Sequence, residues 1–172
     1  RGITIIAAAA SIPWHDHMIH LIDTPGHIDF TAEVERSLRV IDGAVAIFSG
    51  VEGVEAQSEK VWRQADSYSV PKLAFVNKLD RVGAQFFRVV DEINDKFGDC
   101  AVALQIPVGI EDEFDRIIDV VEFDCISFAG EDNEDVVRSP IPEEMMAAAS
   151  EAREALIERL ADESDDIAML YL

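Results

Sequence analysis

Ile22-Asp23-Thr24-Pro25-Gly26-His27 closes an apolar run, Met18-Ile19-His20-Leu21-Ile22, and precedes a polar stretch of helical composition. A strand that delivers a carboxylate, followed by a Pro-Gly turn and a helix, places an acid near a metal ion and a backbone N–H near a phosphate. The acid is Asp23. Pro25 fixes one backbone angle, and Gly26 lets the main chain come close to a ligand, so that its N–H can face a terminal phosphate. His27 then lies beside whatever attacks that phosphate. A plain strand-to-helix connection uses the same residues, so the stretch takes its meaning from the rest of the chain.

Working outward, the apolar segments Ile3 to Trp14 and Met18 to Ile22 flank a turn at Trp14-His15-Asp16-His17 and predict an antiparallel hairpin. Glu33 to Val40 has helical composition. Ala44 to Phe48 is a continuous apolar run, expected to be a strand buried on both faces. After a loop around Gly50 to Gly53, the residues Val54, Ser58, Val61, Ala65 and Tyr68 repeat at helical spacing. Leu73 to Val76 is the next expected buried strand, ending at Asn77-Lys78-Leu79-Asp80. Phe86, Val89, Val90, Ile93 and Phe97 then line one helical face before Gly98. Strands alternating with helices in this way predict a doubly wound α/β sheet, in which ligands bind at the carboxyl ends of the strands. Asp23 to His27 and Asn77 to Asp80 both fall at such ends.

Beyond Gly98 the pattern changes to a small α+β unit. Strands are expected over Ala101 to Ile106 and Ile117 to Phe128, with an acidic loop over Gly130 to Ser139. A helix is expected from Pro142, with Met145, Ala149, Ala152, Leu156 and Leu160 on one face, and a short helix after Ser164. The division is therefore 1–98 as a partial nucleotide-binding core and 99–172 as an acidic subdomain. Charge follows a similar split. Residues 1–90 hold 11 acids and 9 bases, whereas residues 91–172 hold 24 acids and 5 bases. The second half would be repelled by a phosphate backbone and suits a basic protein partner or a solvated surface. DNA is not an expected partner.

Apolar runs all fall short of the ~18–20 residues of a membrane helix, so no membrane contact is expected. Cys100 and Cys125 fit no metal or redox spacing, and two isolated thiols suit a reducing compartment, the cytoplasm or the mitochondrial matrix. His15, His17 and His20 lie two and three residues apart with no Cys or carboxylate cluster to complete a closed metal site. They read as surface residues of the hairpin. The chain begins at Arg1, inside what reads as a motif, and is expected to be a fragment of a longer protein.

The tetrapeptide Asn77-Lys78-Leu79-Asp80 fits recognition of guanine. A carboxylate such as Asp80 accepts two hydrogen bonds, from the ring N–H and the exocyclic amine of guanine, and adenine cannot supply that pair. A site built on such bonds rejects a ligand that lacks the donors, because its acceptors are left unpaired. The stem of Lys78 would pack on the base, and Asn77 would tie neighbouring loops together.

Arg1-Gly2-Ile3-Thr4-Ile5, Asp23-Thr24-Pro25-Gly26-His27 and Asn77-Lys78-Leu79-Asp80 together resemble the translational GTPases. The segments Asp29-Phe30-Thr31, Glu33-Val34-Glu35-Arg36-Ser37-Leu38-Arg39-Val40 and Val61-Trp62-Arg63-Gln64-Ala65 look like elongation factor G in particular. The acidic half is similar to the insertion that such factors carry within the GTPase domain. Phe128-Ala129-Gly130 and Glu151 to Leu172 look like the mitochondrial-type factor.

The resemblance implies an incomplete P-loop GTPase-type sheet with an acidic α+β insertion, GTP and GDP as ligands, and Mg2+ as cofactor. Thr4 would reach the magnesium and the γ-phosphate, Asp23 would hold the magnesium through water, and the Gly26 N–H would meet the γ-phosphate. His27 would position the attacking water, and Ile3 would form part of an apolar gate beside it. Asn77, Lys78 and Asp80 would select guanine. The implied partner is the ribosome, with large-subunit RNA near the nucleotide and the acidic insertion turned toward the stalk protein. The implied function is GTP hydrolysis that drives movement of transfer and messenger RNA.

Two departures qualify this. The sequence holds no Gly-x-x-x-x-Gly-Lys-Ser/Thr, the loop that cradles the α- and β-phosphates. The last guanine-contacting motif of the family is missing too. By resemblance, a further strand belongs between Met18–Ile22 and Ala44–Phe48, and without it two edges stay unpaired. The chain by itself is therefore expected to be marginally folded and not to hydrolyse GTP at a useful rate. Alternatives are a release-factor or tetracycline-resistance type of ribosomal GTPase, or a non-catalytic module that binds the ribosomal stalk.

Overall fold

Ala8–Trp14 (β1) and His17–Asp23 (β2) pair antiparallel in the computed structural model, which describes residues 8–23, 31–130 and 135–171. The register runs from Ala8 opposite Asp23 to Trp14 opposite His17. Only His15 and Asp16 make the turn, and His15 takes a positive φ of 49°, as tight hairpin turns require of at least one central residue. His17 thus belongs to a strand and not to the turn. Ile12, Trp14, Ile19 and Leu21 share one face of this ribbon with Asp23, and all are exposed.

The chain divides into two compact units, residues 1–48 with 54–75, and residues 49–53 with 76–172. In the first, Thr31–Leu38 (α1) and Ala56–Ser67 (α2) sandwich a small apolar cluster. Val34 and Leu38, one helical turn apart, meet Ala65 and Val70. Glu55 caps α2 through a reciprocal exchange with Ser58. Ala44–Ser49 (β3) and Lys72–Asn77 (β4) form a separate two-stranded sheet. The Ala44 N–H donates to the Pro71 carbonyl at 2.9 Å and the Gly50 N–H to the Asn77 carbonyl at 2.8 Å, so the strands run parallel with one register from end to end. Phe48 is buried, its ring 5.8 Å from that of Trp62. The Lys72 ammonium lies 5.0 Å from the Trp62 ring centroid.

One expectation is corrected here. Ala44–Phe48 and Leu73–Val76 are not buried on both faces: Val45, Ile47, Leu73 and Phe75 are each more than half exposed. The incomplete sheet expected from the sequence is discontinuous among the described residues. The hairpin β1–β2 and the parallel pair β3–β4 are separate, and a third sheet stands in the second unit. The physical reason is pairing: a parallel strand is covered on both faces only when further strands and helices flank it.

In the second unit Phe86–Phe97 (α3) ends at Gly98, whose φ of 89° makes the left-handed cap that glycine adopts without strain. Asn94 holds the following segment by donating to the Ala101 carbonyl and accepting from its N–H. Gln105–Val108 (β5), Arg116–Asp119 (β6), Asp124–Ala129 (β7) and Asp135–Ser139 (β8) form an antiparallel meander. Met146–Glu163 (α4) and Asp165–Tyr171 (α5) follow. Ile106, Val108, Ile118, Val120 and Cys125 from the sheet pack with Ile141, Ala149 and Leu156. Arg153 of α4 donates to the carbonyls of Val120 and Val121 and lies over the Phe123 ring, fixing the β6–β7 turn.

The boundaries differ from expectation in three places. The first strand starts at Gln105 and not at Ala101. The run Ile117 to Phe128 is broken by the turn that carries Phe123 at φ 62°. The stretch expected as an acidic loop contains β8, because Val136 and Val137 pair with Phe128 and Ser127. Ala149 and Leu156 are buried as the helical spacing requires, whereas Leu160 is exposed.

Truncating Ile118, which is fully buried in this core, to alanine is expected to cost about 2–5 kcal/mol in urea unfolding. Val136→Thr on the exposed edge strand should stay within about 0.5 kcal/mol of the wild type in the same titration.

Candidate functional site

β4 ends at Asn77, and the chain reverses over the next four residues. The Asn77 side-chain oxygen accepts the Lys78 N–H at 2.8 Å. Lys78 has a φ of 61°, a conformation that costs a non-glycine residue roughly 1–2 kcal/mol and must be held by its surroundings. The Lys78 carbonyl accepts the Arg81 N–H, and the Arg81 carbonyl accepts the Ala84 N–H. Leu79 is the half-buried member of the loop, while the side chains of Lys78 and Asp80 stay 54% and 64% exposed. Among the described residues Asp80 meets a loose ion pair with Arg81, at 3.5 Å, and its side chain is otherwise exposed, so the carboxylate can take an incoming pair of donors. That chemistry fits the N–H and amine edge of guanine.

A second loop, which the sequence marked only by its two glycines, braces the first. Gly50 is buried between an N–H given to Asn77 and a carbonyl that accepts the Gln85 N–H at 2.9 Å. A methyl group at Gly50 would stand 2.9 Å from the Leu79 Cδ2 and 3.3 Å from the Asn77 carbonyl oxygen. The Ser49 hydroxyl accepts the N–H groups of Val51 and Glu52 and donates to the Glu52 carboxylate. Glu52 in turn pairs with the Lys78 ammonium at 3.7 Å. The Ser49 hydroxyl first, then the residue's own backbone N–H and the charge of Lys78, hold the Glu52 carboxyl below the usual glutamate range. On the far side of the reversal, the Glu111 carboxylate accepts the Gly83 N–H at 2.8 Å.

The second unit therefore brings Asn77, Lys78 and Asp80 onto one loop and adds Ser49, Gly50 and Glu52, which sequence reasoning missed. Their signal was weak: a serine before a glycine and a glutamate between two glycines also occur in ordinary turns. Asp23 stands in the first unit at the end of β2, with its carboxylate exposed. Thr4, Gly26 and His27 lie outside the described residues. His15, His17 and His20 are exposed, with His20 Nδ1 2.9 Å from the Ser11 hydroxyl. Among the described residues no group of three or more His, Cys, Asp or Glu side chains is arranged to hold a metal. A groove of about 340 Å³ along Gly43, Ala44, Val45, Pro71, Lys72 and Leu73 is apolar, and the ammonium of Lys72 is already engaged by Asp66.

Two comparisons bear on this arrangement. The family profile described as elongation factor Tu GTP binding domain matches residues 1–167. A crystal structure of a protein from Thermus thermophilus superposes with a TM-score of 0.87 over 98% of this chain, at 21% sequence identity. The similarity at that identity is one of fold. The chain spans 25% of the length of that protein.

Gly50→Ala is expected to destabilise the second unit by about 1–3 kcal/mol, read in a denaturant titration, because the methyl group has no space beside Leu79. The lowered Glu52 carboxyl predicts a stability contribution that is present above the unfolded glutamate value and lost as pH falls through the lower folded value. The stability gap between wild type and Glu52→Gln, measured across a pH series, should therefore be constant near neutrality. It should shrink only in the acid range below the ordinary glutamate value.

Proposed function

The chain belongs to the elongation factor Tu GTP binding domain family, and on that premise we propose that it is the switch and base-reading part of a ribosomal translocation GTPase of the elongation factor G type. The observation that carries this reading is the Asn77–Asp80 loop, closed by its own backbone and by Gly50, with the Asp80 carboxylate left open to a two-donor base edge. Adenine offers an acceptor where guanine offers the ring N–H, so the same carboxylate repels it.

In this proposal Asp80 reads guanine, the aliphatic stem of Lys78 covers the base, and Asn77 fixes the loop. Asp23 holds Mg2+ through water, with Thr4 as its partner in the GTP state. Bound magnesium supplies charge neutralisation for the β- and γ-phosphates. Gly26 gives its N–H to the γ-phosphate and His27 orients the attacking water, while residues 99–172 form the acidic insertion that faces the ribosomal stalk. The Glu33 to Val40 segment supports the elongation factor G reading over release-factor or tetracycline-resistance types. The cytoplasm or mitochondrial matrix is the compartment this function requires.

These 172 residues hold no Gly-x-x-x-x-Gly-Lys-Ser/Thr, so hydrolysis is not proposed for them alone. Titration of a fluorescent GDP into the full-length protein with magnesium should give binding that GTP displaces and ATP does not. Asp80→Asn should weaken GDP at least about a hundredfold and gain xanthosine diphosphate, because the carboxamide N–H can meet the 2-carbonyl of xanthine. Equal displacement by ATP, or unchanged GDP affinity in Asp80→Asn, would remove the proposal.

A further inference from the structure

We infer that Arg88 is a positioning residue for guanine recognition: its guanidinium fixes the Gly50–Gly53 loop, and that loop sets the backbone of Asn77 and the ammonium of Lys78. The inference rests on the proposal that the Asn77–Asp80 loop reads guanine.

Arg88 lies near the start of α3, away from the exposed tips of Lys78 and Asp80 in sequence and joined to them through the loop. Its Nη2 donates to the Gly50 carbonyl at 3.1 Å and to the Val51 carbonyl at 2.7 Å. Its Nη1 pairs with Glu92, one helical turn along α3. One planar guanidinium therefore spans two successive loop carbonyls and a carboxylate. A lysine ammonium lacks the fork to do the same. With its carbonyl held by Arg88 and Gln85, Gly50 has its N–H aimed at the Asn77 carbonyl.

The far end of the loop closes on the same ion pair. Gly53 has a φ of 73°, and a methyl group there would meet Glu92 Oε2 at 2.1 Å and Arg88 Nη1 at 3.0 Å. Both glycines are thus shaped around neighbours, Gly50 around the base loop and Gly53 around the Arg88–Glu92 pair. Between them Glu52 reaches Lys78, and Ser49 fixes the direction of Glu52. A loop freed from Arg88 loses its hold on Asn77 and Lys78 together. Asp80, two residues beyond Lys78, then loses its alignment with the base edge.

The test compares GDP with inosine diphosphate, which lacks the exocyclic amine, on the full-length protein and its Arg88→Lys variant. Arg88→Lys should weaken GDP about tenfold and inosine diphosphate less, so that the GDP preference falls by about threefold or more. Hydrogen exchange at the Gly50 amide should accelerate in the same variant. An unchanged GDP preference in a folded Arg88→Lys protein would make the arginine purely structural and overturn the inference, as would unchanged Gly50 exchange. Should Arg88→Lys not fold, Glu92→Gln replaces it. That variant removes the charge that orients the guanidinium and should lower the GDP preference in the same direction, while an unaltered preference again overturns the inference. Absence of guanine-nucleotide binding by the wild type would instead remove the functional proposal itself.

Discussion

The hydrogen bond from the Gly50 N–H to the Asn77 carbonyl is both the last rung of the β3–β4 pair and the first fixed point of the candidate site. The same offset between partners holds at Ala44–Pro71 and at Gly50–Asn77, as parallel pairing in one register requires. A slip by one residue would carry the Asn77 carbonyl away from the Gly50 N–H. The absence of a side chain at Gly50 is what lets the two loops approach.

The two units hold themselves together differently. The second closes an apolar cluster between its four-stranded sheet and α4, with Ile106, Ile118, Val120, Cys125 and Ala149 fully buried. Its acidic residues are arranged at the surface, several tied into local structure: Asp119 accepts the N–H groups of Val121 and Glu122, and Asp124 takes Arg138. The first unit has a smaller cluster between α1 and α2 and leaves Val45, Ile47, Leu73 and Phe75 in solvent, and the residues of its hairpin are exposed as well. Apolar strands with open faces and edges are incomplete as a folding unit in water.

Polar contacts around the site follow a hierarchy of exposure. Ion pairs at the surface, such as Arg81 with Asp80, contribute little to stability and leave the carboxylate free to exchange partners. The half-buried Arg88 grips backbone carbonyls instead, where several donors converge and the geometry is fixed by the helix that carries them. An open acid on a rigidly held loop is the arrangement a base-reading site needs, because the ligand then replaces water and not another protein group.

The sequence by itself determined the local periodicities and the chemistry of the motifs. Helical spacing marked α2, α3 and α4, the apolar run before Asp23 marked β2, and Asn77 to Asp80 announced a carboxylate at a strand end. These features are written in neighbours a few residues apart, where side-chain period and turn chemistry act directly. Tertiary structure alone decided which faces of β3 and β4 are covered, that Val136 and Val137 leave an expected loop to pair with β7, and that Gly50, Glu52 and Arg88 surround the Asn77–Asp80 loop. Each of these depends on contacts between segments distant in sequence. A glycine that makes room for Leu79, or an arginine that finds carbonyls 37 and 38 positions away, carries no local signature of the partner it will meet.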